Sequence, residues 1–109
     1  MLEKIYEYSE SANKLIEKII DDENMVLNHV VLGNGDSLPE HFSNSNVCLV
    51  VVQGTLTIQL GAQEPRALSM GKIIIVPYNT KMNIGNHSAG LLEFFIIKAP
   101  NPRHFAEKQ

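Results

Sequence analysis

Four histidines, one cysteine and a carboxylate are the side chains of this 109-residue chain best suited to hold a metal or move a proton: His29, His41, His87, His104, Cys48 and Glu40. An imidazole titrates near neutral pH, so any of the histidines could serve as a base or as a nitrogen ligand. His41 stands out because it lies in "GDSLPEHFSNSNVCLVVVQG", a turn that rises into an apolar run. No acidic residue is placed here to orient His41. Glu40, next to His41 on an extended segment, is expected to point to the opposite side. His29 belongs to the strand-like "MVLNHVVL" and joins His41 only if its face turns inward. His87 and His104 fall in polar segments and are expected at the surface. Cys48 is expected as a small buried hydrophobe facing away from its neighbour Val47. As the single cysteine it forms no internal disulfide, which fits a reducing, cytoplasmic setting.

The elements that position these groups read as strands. "MVLNHVVL" is closed by the turn-forming "GNGDS", and "VCLVVV", "LTIQL", "GKIIIVP" and "LLEFFIIKAP" follow, divided by "QGT", "GAQEPRA" and "YNTKMNIGNHSAG". Turn signals recurring at about ten residues indicate an all-β sandwich or barrel rather than a βαβ protein. "LTIQL" alternates, with Leu56, Ile58 and Leu60 on one face. "VCLVVV" and "IIIV" do not alternate, so both of their faces are expected to be covered, by a second sheet or by a partner. "NKLIEKII" has apolar residues at helical spacing and β-branched content that permits a strand.

Composition narrows the partners. At 44% hydrophobic and 19% charged residues the chain forms one globular domain. Its net charge is −3 and its nine Lys and Arg are scattered, which argues against nucleic acid. Its apolar runs are far shorter than the roughly 20 residues of a membrane-spanning helix, and the N-terminus does not read as a signal peptide. The expected division is an arm over 1–12, a barrel over 13–100 and a polar tail over 101–109.

The spacing of glycines and prolines resembles that of the cupins, small double-stranded β-helix or jelly-roll barrels, here of the conserved-barrel, RmlC-like type. The family's first motif, G-x5-H-x-H-x3,4-E-x6-G, aligns on Gly35, His41, Ser43, Val47 and Gly54. Its second, G-x5-P-x-G-x2-H-x3-N, aligns on Gly71, Pro77, Asn79, Met82 and Asn86. The frame of turns is kept, and Asn79 stands where glycine is usual, being the residue that next best tolerates a left-handed turn. The resemblance also favours "NKLIEKII" as the leading strand of the barrel.

It further implies a metal held by three histidines and a glutamate, and that set is reduced here to His41. Ser43 is a weak neutral donor, Val47 has none, and Met82 offers a soft thioether that hard divalent ions disfavour. No cofactor is therefore expected beyond weak divalent binding at His41. The expected role is binding or sensing of a small molecule by His41, Ser43, Val47, Leu49, Met82 and Tyr78, with Leu49 and Val51 as walls of an open or filled barrel. The alternative is an enzyme: a metal-free isomerase or epimerase with His41 as base and Tyr78 at the cavity mouth, or a metal enzyme using ligands outside the motif. The reading leans away from catalysis. The resemblance also implies a homodimer, with the N-terminal segment joining the partner's sheet and the apolar runs supplying the surface.

Overall fold

The computed structural model describes residues 2–106. Its strands are β1 (Leu15–Asp21), β2 (Val26–Leu32), β3 (His41–Phe42), β4 (Val47–Gln53), β5 (Thr55–Leu60), β6 (Arg66–Ser69), β7 (Ile73–Val76), β8 (Lys81–Gly85) and β9 (Leu92–Lys98). One helical turn, α1 (Arg103–Ala106), follows them. Five strands form a sheet in the order β1-β2-β9-β4-β7, and four form a second in the order β3-β8-β5-β6. Every pairing between these strands is antiparallel. The all-β expectation holds.

Alternation decides which face of each strand is inside. Val30 and Leu32 of β2, Val47, Leu49 and Val51 of β4, and Leu92 and Phe94 of β9 point inward from the larger sheet. Leu56 and Ile58 of β5 and Met82 and Ile84 of β8 point inward from the smaller one, and together they form a single apolar core. Phe94 is completely buried. Burial of such a side chain contributes roughly 1.5–3 kcal/mol.

The segment with helical spacing is indeed strand β1, paired with β2 from Leu15 opposite Val31 to Asp21 opposite Val26. Its backbone is paired by a neighbouring strand, and this outweighs the local periodicity. A bulge between Lys18 and Ile20 accommodates the imperfect alternation.

The expectation that "VCLVVV" and "IIIV" are covered on both faces is not met within the chain. Their inward residues are buried, but Ile73 is 64% and Ile75 68% exposed on the outer face. Only the inner face of the large sheet meets another sheet. The N-terminal arm crosses the outer face over β2 and β9, where the Tyr8 ring lies 5.0 Å from that of Phe95.

Two turns show the motif frame at work. Gly54 has φ 77°, and an added Cβ would overlap the Leu91 carbonyl oxygen. Asn79 takes φ 62°, the left-handed conformation expected for a residue in place of glycine. Beyond β9, the segment expected as a polar tail begins with a buried anchor. Asn101 donates from Nδ2 to Asp21 Oδ1 (2.8 Å) and to the Asp22 carbonyl (2.7 Å). Its Oδ1 accepts from the Arg103 amide (3.0 Å), which starts α1. Residues 107–109 of that tail, and Met1 of the arm, lie outside the described residues.

Candidate functional site

The motif positions fall into three different environments. His41 is on β3, the edge of the smaller sheet, directly opposite Met82 of β8, and it is exposed. Its Nδ1 donates to the Pro39 carbonyl at 2.9 Å. Glu40 pairs instead with Lys81, 3.0 Å from Nζ to Oε1. Tyr78 is half-buried, with its ring stacked on Phe105 at 4.2 Å and 9°. It lines a shallow cleft with Phe42, Ser43, Asn79 and Arg103, to which His41 does not contribute.

Ser43 is buried and its hydroxyl is fully engaged. It donates to the Pro77 carbonyl (2.6 Å) and accepts from the Thr80 amide (2.8 Å), while the Ser43 amide donates to the Thr80 carbonyl (2.8 Å). The residue at a ligand position thus clamps the corner of the second motif to the strand of the first. Val47, Leu49 and Met82 are 1%, 0% and 2% exposed and belong to the apolar core.

This donor set does not fit a metal ion. Three of the aligned positions offer a committed hydroxyl, a hydrocarbon and a core thioether. Among the described residues no group of three or more His, Cys, Asp or Glu side chains is arranged to hold one. Nor does His29 rebuild the site, because its side chain lies on the outer face of the large sheet, opposite to the core residues Val30 and Leu32. Cys48 turns away from the face of Val47, as alternation requires, and His87 and His104 are exposed.

On that outer face His29 is completely buried between two carboxylates. Nδ1 is 2.7 Å from Glu17 Oε2 and Nε2 is 2.6 Å from Glu93 Oε2. The ring packs 4.7 Å from Tyr8 and 5.1 Å from Phe95. Glu17 also accepts from the Ser9 amide (2.9 Å) and hydroxyl (3.1 Å), so the N-terminal arm is tied to the node. These contacts, the Ser9 amide first and His29 next, hold the Glu17 carboxyl below its ordinary value.

The end of the barrel beside Val47 is polar. Lys98 is directly opposite both Val26 and Val47, which puts it on the inward face of the larger sheet. Lys18 lies opposite Asn28, on the same face. Lys18, Asn28, Lys98, Asn44, Asn101 and Arg103 surround a cleft of about 290 Å³, with Val26 and Pro102 as its apolar walls and Asp21 at its rim. Asp21 is engaged by Asn101, by Lys18 (3.3 Å) and by Arg103 (4.0 Å). Lys98 is half-buried, and no hydrogen bond or ion pair satisfies it among the described residues. Burial, followed by the charge of Lys18, holds its ammonium below the ordinary lysine value.

The sequence carried a signal for part of this. In "LEFFIIK" the position of Lys98 is in phase with Phe94 and Ile96, so a lysine was in line for the inward face. Nothing in the sequence announced the His29 node, because Glu93 is 64 residues away along the chain.

No family model matches the chain. It is 43% identical over 104 residues to uncharacterized protein MJ0764 of Methanocaldococcus jannaschii, covering 94% of this chain and 90% of that one. The crystal structure of an RmlC-like cupin family protein with a double-stranded β-helix fold (mj0764) from the same organism superposes with a TM-score of 0.93. That match has 41% identity and covers 97% and 98% of the two chains. A cupin-like protein from Thermotoga maritima shares the fold at 20% identity, with a TM-score of 0.77 over 87% of this chain and 73% of that one. A cupin superfamily protein from Desulfitobacterium hafniense does so at 14% identity, with a TM-score of 0.72 over 84% and 82%.

Proposed function

Since the chain belongs to the RmlC-like cupin family, with a double-stranded β-helix fold, we propose that it is a metal-independent binding protein. In this reading a small molecule is taken at the polar end of the barrel, beside Val47, and no reaction is catalysed. The observation that carries it is the contrast along the barrel axis. The interior, from Val47 and Leu49 to Met82, is packed as an apolar core, while the end holds a cleft with a half-buried Lys98 that has no hydrogen-bond or ion-pair partner among the described residues. Pockets that take small molecules combine apolar walls with a few convergent polar groups, and this cleft has both. His41, Ser43 and Tyr78 then serve the rim and its corner rather than the ligand itself. The enzyme alternative asks more of His41 than its surroundings offer. The proposed acid partner, Tyr78, lines a cleft to which His41 does not contribute, and the His41 ring is held by the Pro39 carbonyl.

The same reading includes a cytoplasmic homodimer. Ile73, Ile75 and Val52 leave an apolar strip on the outer face of the large sheet, and the arm carries exposed Leu2 and Ile5. A second copy brings both surfaces at once, which is why it is the partner we favour. Sedimentation of the wild type against Ile73→Lys/Ile75→Lys tests this, with a dimer expected only for the former.

The binding reading is tested by titrating fractions of a small-molecule cell extract into isotope-labelled full-length protein and following its amide NMR signals. Shifts concentrated at Asn28, Asn44 and Lys98 are expected. Shifts at His41 with product formed, or near-stoichiometric transition metal in the purified protein that is lost on His41→Ala, would overturn it.

A further inference from the structure

We infer that the ligand of the cleft at the barrel end is a small oxyanion, a carboxylate or phosphate group held by Lys98 with Lys18 and Arg103. The inference rests on the binding reading above and narrows it to a chemical class.

The cleft concentrates positive charge in a chain whose net charge is −3. Its lining holds three cationic side chains, Lys18, Lys98 and Arg103, against the single carboxylate of Asp21. Asp21 is drawn to the rim by Asn101 and by its contacts to Lys18 and Arg103, and it makes no ion pair with Lys98. The Lys98 ammonium is therefore taken partly out of water without a counter-charge among the described residues. A half-buried cation in that condition is destabilised relative to its solvated form, and an incoming anion restores what was lost. Bringing Lys18 close makes the arrangement worse for the free protein and better for the complex, which is the pattern of a site shaped for an anion rather than of an internal salt bridge.

The neutral groups agree with this assignment. Asn28 and Asn44 line the cleft, and no side-chain hydrogen bond engages either amide among the described residues. Each can donate an N–H to an oxygen of the anion. Arg103 stands on the first residue of α1, fixed by the bond of its own amide to Asn101 Oδ1. Its guanidinium donates from Nε to Asn101 Oδ1 (3.3 Å) and lies 4.0 Å from Asp21 at the nearest, which leaves its terminal N–H groups open to a stronger acceptor. At about 290 Å³ the space suits a compact metabolite rather than a polymer or a lipid chain.

The test uses inorganic phosphate and acetate as probes, each titrated separately into full-length protein by NMR, with sodium chloride held constant. Saturable shifts at the amides of Asn28, Asn44 and Lys98 are expected with one or both, and the tighter probe tells phosphate from carboxylate. Lys98→Met is expected to weaken the response about tenfold or more, the scale of one charge-assisted hydrogen bond. Lys98→Arg is expected to restore most of it, and Lys72→Met, on the exposed turn before β7, to leave it unchanged. Lys18→Met, at an exposed position, serves as a second probe should Lys98→Met fail to fold. Shifts that grow linearly without saturation, or that are equal in Lys98→Met and wild type, would overturn the inference. If neither anion binds but an extract fraction still shifts the same amides, the anion class fails and the binding reading stands. Silence from both sinks the two together.

Discussion

His29 Nε2 lies 2.6 Å from Glu93 Oε2, and the opposite ring nitrogen lies 2.7 Å from Glu17, so one buried ring joins the strands β1, β2 and β9. The node is a cross-tie of three strands on the outer face of the large sheet, roofed by Tyr8 of the arm.

His29→Ala removes both bonds and the ring on which Tyr8 and Phe95 pack. The two carboxylates left behind are 22% and 23% exposed at their side chains, so water relieves part of their repulsion. We expect a loss of about 2–4 kcal/mol in urea unfolding. Faster hydrogen exchange at the Ser9 amide should accompany it.

Acid should loosen the arm. Glu17 is held below its ordinary value of 4.5, first by the Ser9 amide and then by His29. A carboxyl depressed in this way contributes stability that is present above pH 4.5 and is lost as the pH falls through the lowered value. Asp21, depressed by Asn101 and then by Lys18, acts in the same direction. The titratable groups facing His29 are Glu17, Glu93 and Tyr8. Thermal melts from pH 7 to pH 3 should show a decline at the acid end that is smaller in Glu17→Gln, which begins from a less stable state. An equal decline in both proteins would remove Glu17 from the account.

Ser43→Ala tests the clamp. Its hydroxyl is donor to Pro77 and acceptor from Thr80, and the site is 2% exposed. Leaving the Pro77 carbonyl and the part-buried Thr80 amide without that partner should cost about 1–2 kcal/mol. Denaturant titration measures it, and fast exchange at the Thr80 amide would localise it.

Met82→Ala probes the packed interior. With Met82 at 2% exposure in the core, the truncation should cost about 2–5 kcal/mol, depending on how far the neighbours collapse. A barrel with spare internal space would give a value near the transfer term alone. Calorimetric unfolding distinguishes the two.

Two glycines of the motif frame should respond unequally. Gly35→Ala has open space around the new Cβ and only a left-handed φ of 84° to bear, for a loss of about 1–2 kcal/mol. Gly54→Ala adds to a φ of 77° an overlap with the Leu91 backbone, and should exceed about 4 kcal/mol or abolish soluble expression. Comparable melting temperatures for the two variants would contradict the overlap.

Much of this architecture was legible in the amino-acid sequence alone. Strand alternation, turn residues and the spacing of Gly35, Gly54, Gly71 and Pro77 determined an all-β barrel, and the asparagine at 79 announced a left-handed turn, found at φ 62°. These are local properties, set by the conformational range of each residue and its immediate neighbours. The same reasoning indicated that the aligned metal positions had lost their donors, since donor chemistry belongs to the residue itself. Only the tertiary structure decided where the charges meet. Alternation within a strand tells which residues share a face, but not which side chains stand across from them. His29 finds Glu93 through the register of β2 on β9, across 64 residues of chain. Lys98 faces Lys18 through the same sheet, because the register of β1 on β2 and of β2 on β9 puts both on the inner side. Cross-strand register is a property of the assembled sheet, so the His29 node and the cationic cleft came into view only with the fold.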